Sequence, residues 1–285
     1  MTNYARTFGQ DLMRGEHKLG GGMSGKAIPG GGTGKNSAFM FRQPDGSYAT
    51  GEDAQSRGSG TSIFDPVLTE LCYKWFCPSG GLILDPFAGG SVRGIVASVL
   101  GFDYRGHELR GEQVEANRLQ AAAICPDAPP VWIEGDSALT IPAWGGQADL
   151  VFSCPPYGNL EVYSDRENDL SAMSHEAFLV AYRAIIAASV AALKPDRFAC
   201  FVVGDFRCPK GFYRNFTGET VAAFEAAGAR FYNEAILVTA VGSLPVRITK
   251  QFKAGRKLGK THQNILVFCK GDPKSATRFI EGAAA

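Results

Sequence analysis

The feature that most constrains this chain is an alternation, starting near residue 62, of short apolar runs with longer amphipathic ones. Runs at 82–84, 104–109, 131–134, 150–153, 198–203, 234–238 and 265–268 have the length and side chains of buried strands. Between them, 65–76, 92–100, 111–124, 175–193 and 218–227 carry apolar residues at helical spacing. Parallel strands need long crossovers, and helices are the usual solution. The pattern therefore predicts a doubly wound α/β fold: a Rossmann-like, seven-stranded, mostly parallel sheet. No helical pattern separates the last two runs, so an antiparallel edge pair is expected there.

Residues 1–60 hold 14 of the 35 glycines and almost no apolar periodicity, which reads as a flexible arm ahead of a domain spanning 61–285. The arm's Gly34-Lys35-Asn36 is not a phosphate loop: Pro29 stands where the first glycine belongs, and Asn36 replaces the Ser or Thr that would hold magnesium. No uninterrupted run of about 18 apolar residues is present. The N-terminus lacks an apolar signal core, so a cytoplasmic protein with no membrane partner is expected. The seven cysteines are an odd number; none forms a C-x-x-C pair, and none sits near a His at zinc-ligand spacing. Reduced thiols and no metal are therefore expected. Lys+Arg 29 against Asp+Glu 28 leaves a net charge of +1, so the total does not advertise a nucleic-acid partner.

Open α/β sheets bind ligands beyond the carboxyl ends of their strands. The first strong strand runs into Asp85-Pro86-Phe87-Ala88-Gly89-Gly90-Ser91, small residues that let a ligand approach the backbone ahead of a helix N-terminus. No G-x-G-x-x-G follows this strand, which disfavours a dinucleotide there. Asp85 at the strand tip suits an ammonium group. Glu108, 23 residues on, stands where an acid holds ribose hydroxyls, and Asp136 puts a third carboxylate on the rim, suited to an adenine amino group. Three acids and no phosphate cradle match an adenosine joined to an amino acid, the shape of S-adenosylmethionine.

The fourth strand leads into Cys154-Pro155-Pro156-Tyr157-Gly158. Residues 84–90 resemble motif I of the amino-methylating DNA methyltransferases, and Cys154-Pro155-Pro156-Tyr157 resembles their catalytic motif IV, usually Asp, Asn or Ser before Pro-Pro and an aromatic. Ser62-Ile63-Phe64-Asp65-Pro66 resembles the Phe segment preceding motif I, and the stretch 260–268 is similar to the closing strand of phage-type modification methylases. The likeness covers roughly 60–272. It implies a class I methyltransferase fold, S-adenosylmethionine as cofactor, and an exocyclic amine (adenine-N6 or cytosine-N4) as methyl acceptor. It further implies that Phe64, Asp85, Pro86, Phe87, Ala88, Gly89, Glu108 and Asp136 bind the cofactor, with Cys154, Pro155, Pro156 and Tyr157 as the catalytic turn.

A turn with two prolines can aim the Pro155 carbonyl and a neighbouring side chain at an amine's two hydrogens, drawing the nitrogen toward tetrahedral geometry. An aromatic at 157 can stack on a base taken out of the duplex. Cys154 departs from the motif because a thiol is a weak acceptor. Either it is a tolerated variant, or its thiolate attacks a pyrimidine ring, as in carbon-5 methylation. Gly158–Ser174 is a polar stretch that can serve as a lid or a connector.

Arg247, Lys250, Lys253, Arg256, Lys257 and Lys260 lie within 247–260, a span with no acid, and Arg207, Lys210 and Arg214 form a smaller cluster. Such segments neutralise phosphates, so DNA is the expected partner. Only 205–217 and 240–262 remain for recognition, and specificity can also come from the arm, a homodimer or a separate partner. An RNA guanine-N2 methyltransferase and a non-catalytic nucleic-acid-binding protein of the same fold are the alternatives.

Overall fold

A computed structural model describes residues 64–157, 169–239 and 244–282; the glycine-rich arm and most of the polar stretch after Tyr157 lie outside the described residues. The chain divides into two units, Met1–Phe64 and Asp65–Ala285, and every strand and helix named below belongs to the second.

Seven strands form one sheet: β1 (Leu82–Asp85), β2 (Asp103–Glu108), β3 (Val131–Glu134), β4 (Ala148–Ser153), β5 (Leu193–Val203), β6 (Arg230–Val238) and β7 (His262–Lys270). Their order is β3-β2-β1-β4-β5-β7-β6. The first five pair in parallel, whereas β7 runs antiparallel to both β5 and β6. The mostly parallel sheet with an antiparallel edge pair is as the alternation predicted. Helices are α1 (Pro66–Phe76), α2 (Val92–Val99), α3 (Gly111–Ile124), α4 (Ser137–Trp144), α5 (His175–Ala192), α6 (Phe216–Ala226), α7 (Leu244–Gly255) and α8 (Pro273–Gly282).

Local signals fix the helix starts. Asp65 caps α1, its carboxylate accepting from Val67 N–H at 2.8 Å, with Pro66 at the first helical position. Ser174 caps α5 in the same way. α1, α2, α3 and α8 cover one face of the sheet, and α4, α5 and α6 the other. Strands covered on both faces read as continuous apolar runs, and all six residues of β4 are buried.

Three helices differ from the sequence expectation. α4 contains Pro142 and is only eight residues long, so periodicity could not reveal it. α8 begins at the Asp272 cap. The third is α7, which lies between β6 and β7 where no helix was expected. Leu244, Ile248 and Phe252 fall at helical spacing along it, a short stripe set among basic residues, and its described side chains are mostly exposed. By length and composition α5 is also apolar enough to cross a membrane, although no single uninterrupted run signals it. In this fold its Phe178, Tyr182, Ile185, Ile186 and Val190 are buried in the core, and Arg183 pairs with Glu219 of α6.

The β5–α6–β6 crossover leaves a one-strand gap that β7 fills. Phe224 of α6 stacks on Phe268 of β7 at 4.0 Å and meets Phe201 of β5 edge-on at 4.8 Å. Phe224 is fully buried, so Phe224→Ala should cost about 3–5 kcal/mol in urea unfolding. Phe231→Ala, at a residue already 40% exposed on β6, should cost about 1 kcal/mol or less.

Candidate active site at the carboxyl rim

Groups from β2, β4, α2 and the loop after β1 converge on one residue. Asp85 is fully buried, and four donors reach its carboxylate: Arg93 Nε at 2.5 Å, the Ser153 hydroxyl at 2.6 Å, the Tyr104 hydroxyl at 2.8 Å and Phe87 N–H at 3.2 Å. The sequence expectation set this carboxylate toward an ammonium on the open rim. The structure turns it inward, because Arg93 projects from the first turn of α2 toward the sheet. The same guanidinium donates to the Phe87 and Ala88 carbonyls at 2.5 and 2.9 Å. Burial works against the Arg93 charge, but the adjacent Asp85 outweighs it and holds the guanidinium above its ordinary value.

The loop after β1 is pinned from every side. Ala88 N–H donates to the His107 carbonyl at 3.0 Å, and the Ser137 hydroxyl donates to the Pro86 carbonyl at 2.6 Å. Gly89 is clamped at both ends: its N–H donates to Glu108 Oε2 at 2.9 Å and its carbonyl accepts from Asn117 Nδ2 at 2.7 Å. Gly89 has φ +51°, a backbone that favours glycine, and a Cβ placed there or on Gly90 would meet nothing within 4 Å. Beneath the loop, Gly106 allows Ala88 to sit on β2, since a Cβ there would lie 2.9 Å from that of Ala88. The result is a rigid loop with bare backbone facing open space.

Glu108 ends β2 half-buried, its second oxygen accepting Arg110 N–H at 3.0 Å. Burial raises its pKa, opposed by these hydrogen bonds and by Arg110. Asp136 follows β3 and caps α4, accepting from Ala138 N–H at 2.9 Å. Pro86 is buried, and Phe87 is half-buried against Tyr182 at 5.9 Å and Phe201 at 6.2 Å. Phe64 is half-buried and belongs to the preceding unit.

At the end of β4, Ser153 ties the next turn to Asp85. Cys154 is half-buried, Pro155 buried, and Pro156 and Tyr157 half-buried. The Tyr157 hydroxyl lies 3.6 Å from Cys154 Sγ and accepts from Gln263 Nε2 of β7 at 2.5 Å, while the ring meets Phe216 edge-on at 6.1 Å. Burial, reinforced by Cys154 and opposed by Gln263, pushes the Tyr157 hydroxyl up, so it stays protonated near neutral pH. Of the other cysteines, Cys72, Cys77, Cys125, Cys200 and Cys269 are buried thiols and Cys208 is half-buried. Among the described residues, no three His, Cys, Asp or Glu side chains gather as metal ligands.

The two basic stretches meet in space. Lys257 brings its ammonium to 3.0 Å from where a Gly211 Cβ would stand. Arg256 lies over the Phe252 ring at 5.0 Å, and Lys250 and Lys253 are exposed on α7. Arg247 falls within α7 and Lys260 in the half-buried approach to β7. Sequence reasoning missed Arg93, Asn117 and Gln263 as site residues. A lone arginine inside the apolar Val92-Arg93-Gly94-Ile95-Val96 was the available signal for the first.

No family model matches the sequence, and no curated protein matches it. Solved structures do match. TrmN from Thermus thermophilus aligns with TM-score 0.50 and 15% identity over 79% of this chain, which spans 55% of TrmN's length. A methyltransferase from Pyrococcus furiosus gives TM-score 0.48 and 15% identity over 75% of this chain and 87% of its own. A TehB-like SAM-dependent methyltransferase from Corynebacterium glutamicum gives 0.44 and 18% over 76% and 92%. At such identities the likeness is one of fold. The likeness to TrmN, together with the strand order, defines this chain as having the Rossmann-like class I methyltransferase fold.

Two outcomes test the rim. Arg93→Met strands a buried carboxylate and should cost about 3–5 kcal/mol in urea unfolding, with part recovered in the Asp85→Asn, Arg93→Met double variant. His107 is fully buried, with Nδ1 2.7 Å from the Thr140 hydroxyl and Nε2 without a partner, and burial lowers its pKa to about 4. The unfolded chain takes up a proton near pH 6.5 that the folded chain refuses until about 4. Stability should therefore fall as pH drops through that window, by on the order of 3 kcal/mol. Subtracting the pH–stability curve of His107→Gln should remove that slope.

Proposed function

We propose that this chain is an S-adenosylmethionine-dependent methyltransferase acting on an exocyclic amine of a DNA base, adenine-N6 or cytosine-N4, in the cytoplasm. The observation that carries the reading is the Ser153–Asp85 link. It joins the bare glycine loop after β1 to the Pro-Pro turn after β4, setting a small-molecule cradle beside a turn that can present a carbonyl to an amine. The open space over Gly89 and Gly90 fits a cofactor that needs close backbone approach and brings no pyrophosphate.

S-adenosylmethionine supplies an electrophilic methyl group on a sulfonium. Gly89 and its neighbours Pro86, Phe87 and Ala88 shape the loop at the methionine end, where the resemblance also assigns Phe64. Asp85 contributes there as a positioning residue through Arg93. Glu108 Oε1 is held by the Arg110 N–H and guanidinium, so Oε2, which accepts from Gly89 N–H, is assigned to a ribose hydroxyl, and the Asp136 carboxylate to the adenine amino group. On the substrate side the Pro155 carbonyl accepts one amine hydrogen and orients the nitrogen lone pair. Cys154 lends shape more than acceptor strength, and Pro156 stiffens the turn. Tyr157, held by Gln263, offers its ring to the base. The proton released on alkylation passes to solvent.

Arg247, Lys250, Lys253, Arg256, Lys257 and Lys260 are assigned to the phosphate backbone. The recognition surface is compact, so a second copy or a separate partner is the proposed source of further specificity.

Incubation with S-adenosylmethionine labelled in its methyl group and unmethylated phage or plasmid DNA, followed by nucleoside analysis, tests the reading. N6-methyladenine or N4-methylcytosine is the expected product; label only in RNA, or only at carbon 5 of a pyrimidine, would sink it. In the same assay Cys154→Ser should stay within about 10-fold of wild type, because no covalent bond to sulfur is required. Tyr157→Ala should lose roughly 100-fold in kcat through misplacement of the base.

A further inference from the structure

Between β5 and α6, in the 205–217 stretch left for recognition, the chain makes a small hairpin whose exposed aromatic residues none of the roles above uses. Arg214 N–H donates to the Phe206 carbonyl at 2.9 Å, Cys208 N–H to the Phe212 carbonyl at 2.8 Å, and Arg207 bridges Tyr213. Gly211 N–H closes the tip on the Cys208 carbonyl at 2.8 Å across Pro209 and Lys210, with Gly211 at φ +93°. The base is locked as well: Asp205 accepts from Thr217 N–H at 3.2 Å, and Phe206 is buried against Phe216 at 5.5 Å. Phe216 is the ring that also meets Tyr157. The hairpin is therefore rooted, through two aromatic contacts, on the turn proposed to hold the target base.

This rigid projection carries an apolar tip. Phe212 is 73% exposed, the most exposed aromatic ring among the described residues. Its surroundings are cationic. Arg207 lies over the Tyr213 ring at 3.8 Å and donates to the Gly211 carbonyl at 2.9 Å, Lys210 occupies the tip, and the Lys257 ammonium rests beside Gly211. An exposed apolar ring on a hydrogen-bonded hairpin that also carries Arg207 and Lys210 is the chemistry of a side chain that enters a base stack while its neighbours hold phosphates.

We propose that Phe212 is a wedge: it fills the gap in a DNA duplex left when the target base turns out toward Tyr157. Removing a base from a duplex costs stacking and pairing, and an inserted ring offsets part of that loss. The inference rests on the DNA-methyltransferase reading and adds which residue opens the duplex.

A single-stranded substrate needs no wedge, which supplies the test. Methyl transfer to one phage DNA is measured in native and heat-denatured form for wild type, Phe212→Ala and Phe212→Trp. Phe212→Ala should lower kcat/KM on the native duplex by about 10-fold or more, corresponding to about 1.4 kcal/mol, and change the denatured substrate by less than about 2-fold. Phe212→Trp, which keeps a flat ring, should restore most of the duplex activity. Equal loss on both forms, or no loss on the duplex, would overturn the wedge while leaving the methyltransferase reading standing. A wild type that binds S-adenosylmethionine but methylates neither form of DNA would overturn the DNA reading and the wedge together.

Discussion

The buried ion pair between Asp85 and Arg93 organises the rim on which everything else depends. Two charges withdrawn from water are stabilising only if their remaining hydrogen-bonding positions are filled, and here they are. The carboxylate collects donors from β2, β4 and its own turn, while the guanidinium spans from Asp85 to two carbonyls of the following loop. The loop's path is thereby fixed before any ligand arrives. Preorganised backbone is what a site needs when its work is positioning.

The second organising element is the reversed strand. Because β7 slots between β5 and β6, residues far along the chain reach the turn after β4. Gln263 fastens the Tyr157 hydroxyl from a position 106 residues away. α6 packs against the same strand through Phe224, and its first residue, Phe216, braces both Tyr157 and the hairpin before it. The proposed base-binding turn and the proposed wedge thus share one aromatic support, so a shift in either would be felt by the other.

Much of this was legible in the sequence, and the reasons are local. Apolar runs of strand length report strands, buried through in β4 but exposed along most of β6, and Asp65-Pro66 and Ser174 announce helix starts through caps made within a few residues. α4 and α7 were missed for different reasons. Pro142 breaks the periodicity of one, and the other has a short apolar stripe, Leu244, Ile248 and Phe252, set among basic residues. The three rim acids were found from their spacing, but their partners were not. Nothing local to Asp85 says that Arg93 and Tyr104 will take up its oxygens.

By itself the sequence determined the seven strands in order and five of the helices, the small residues of the loop after β1 and the Pro-Pro turn after β4, because each depends on chemistry within a few neighbouring residues. Only the tertiary structure decided which way Asp85 faces, what holds Tyr157, and that two basic stretches separated by a strand and a helix meet beside Gly211. Those outcomes depend on strand order, and strand order follows from how the crossovers pack, which brings together residues that no sequence window contains.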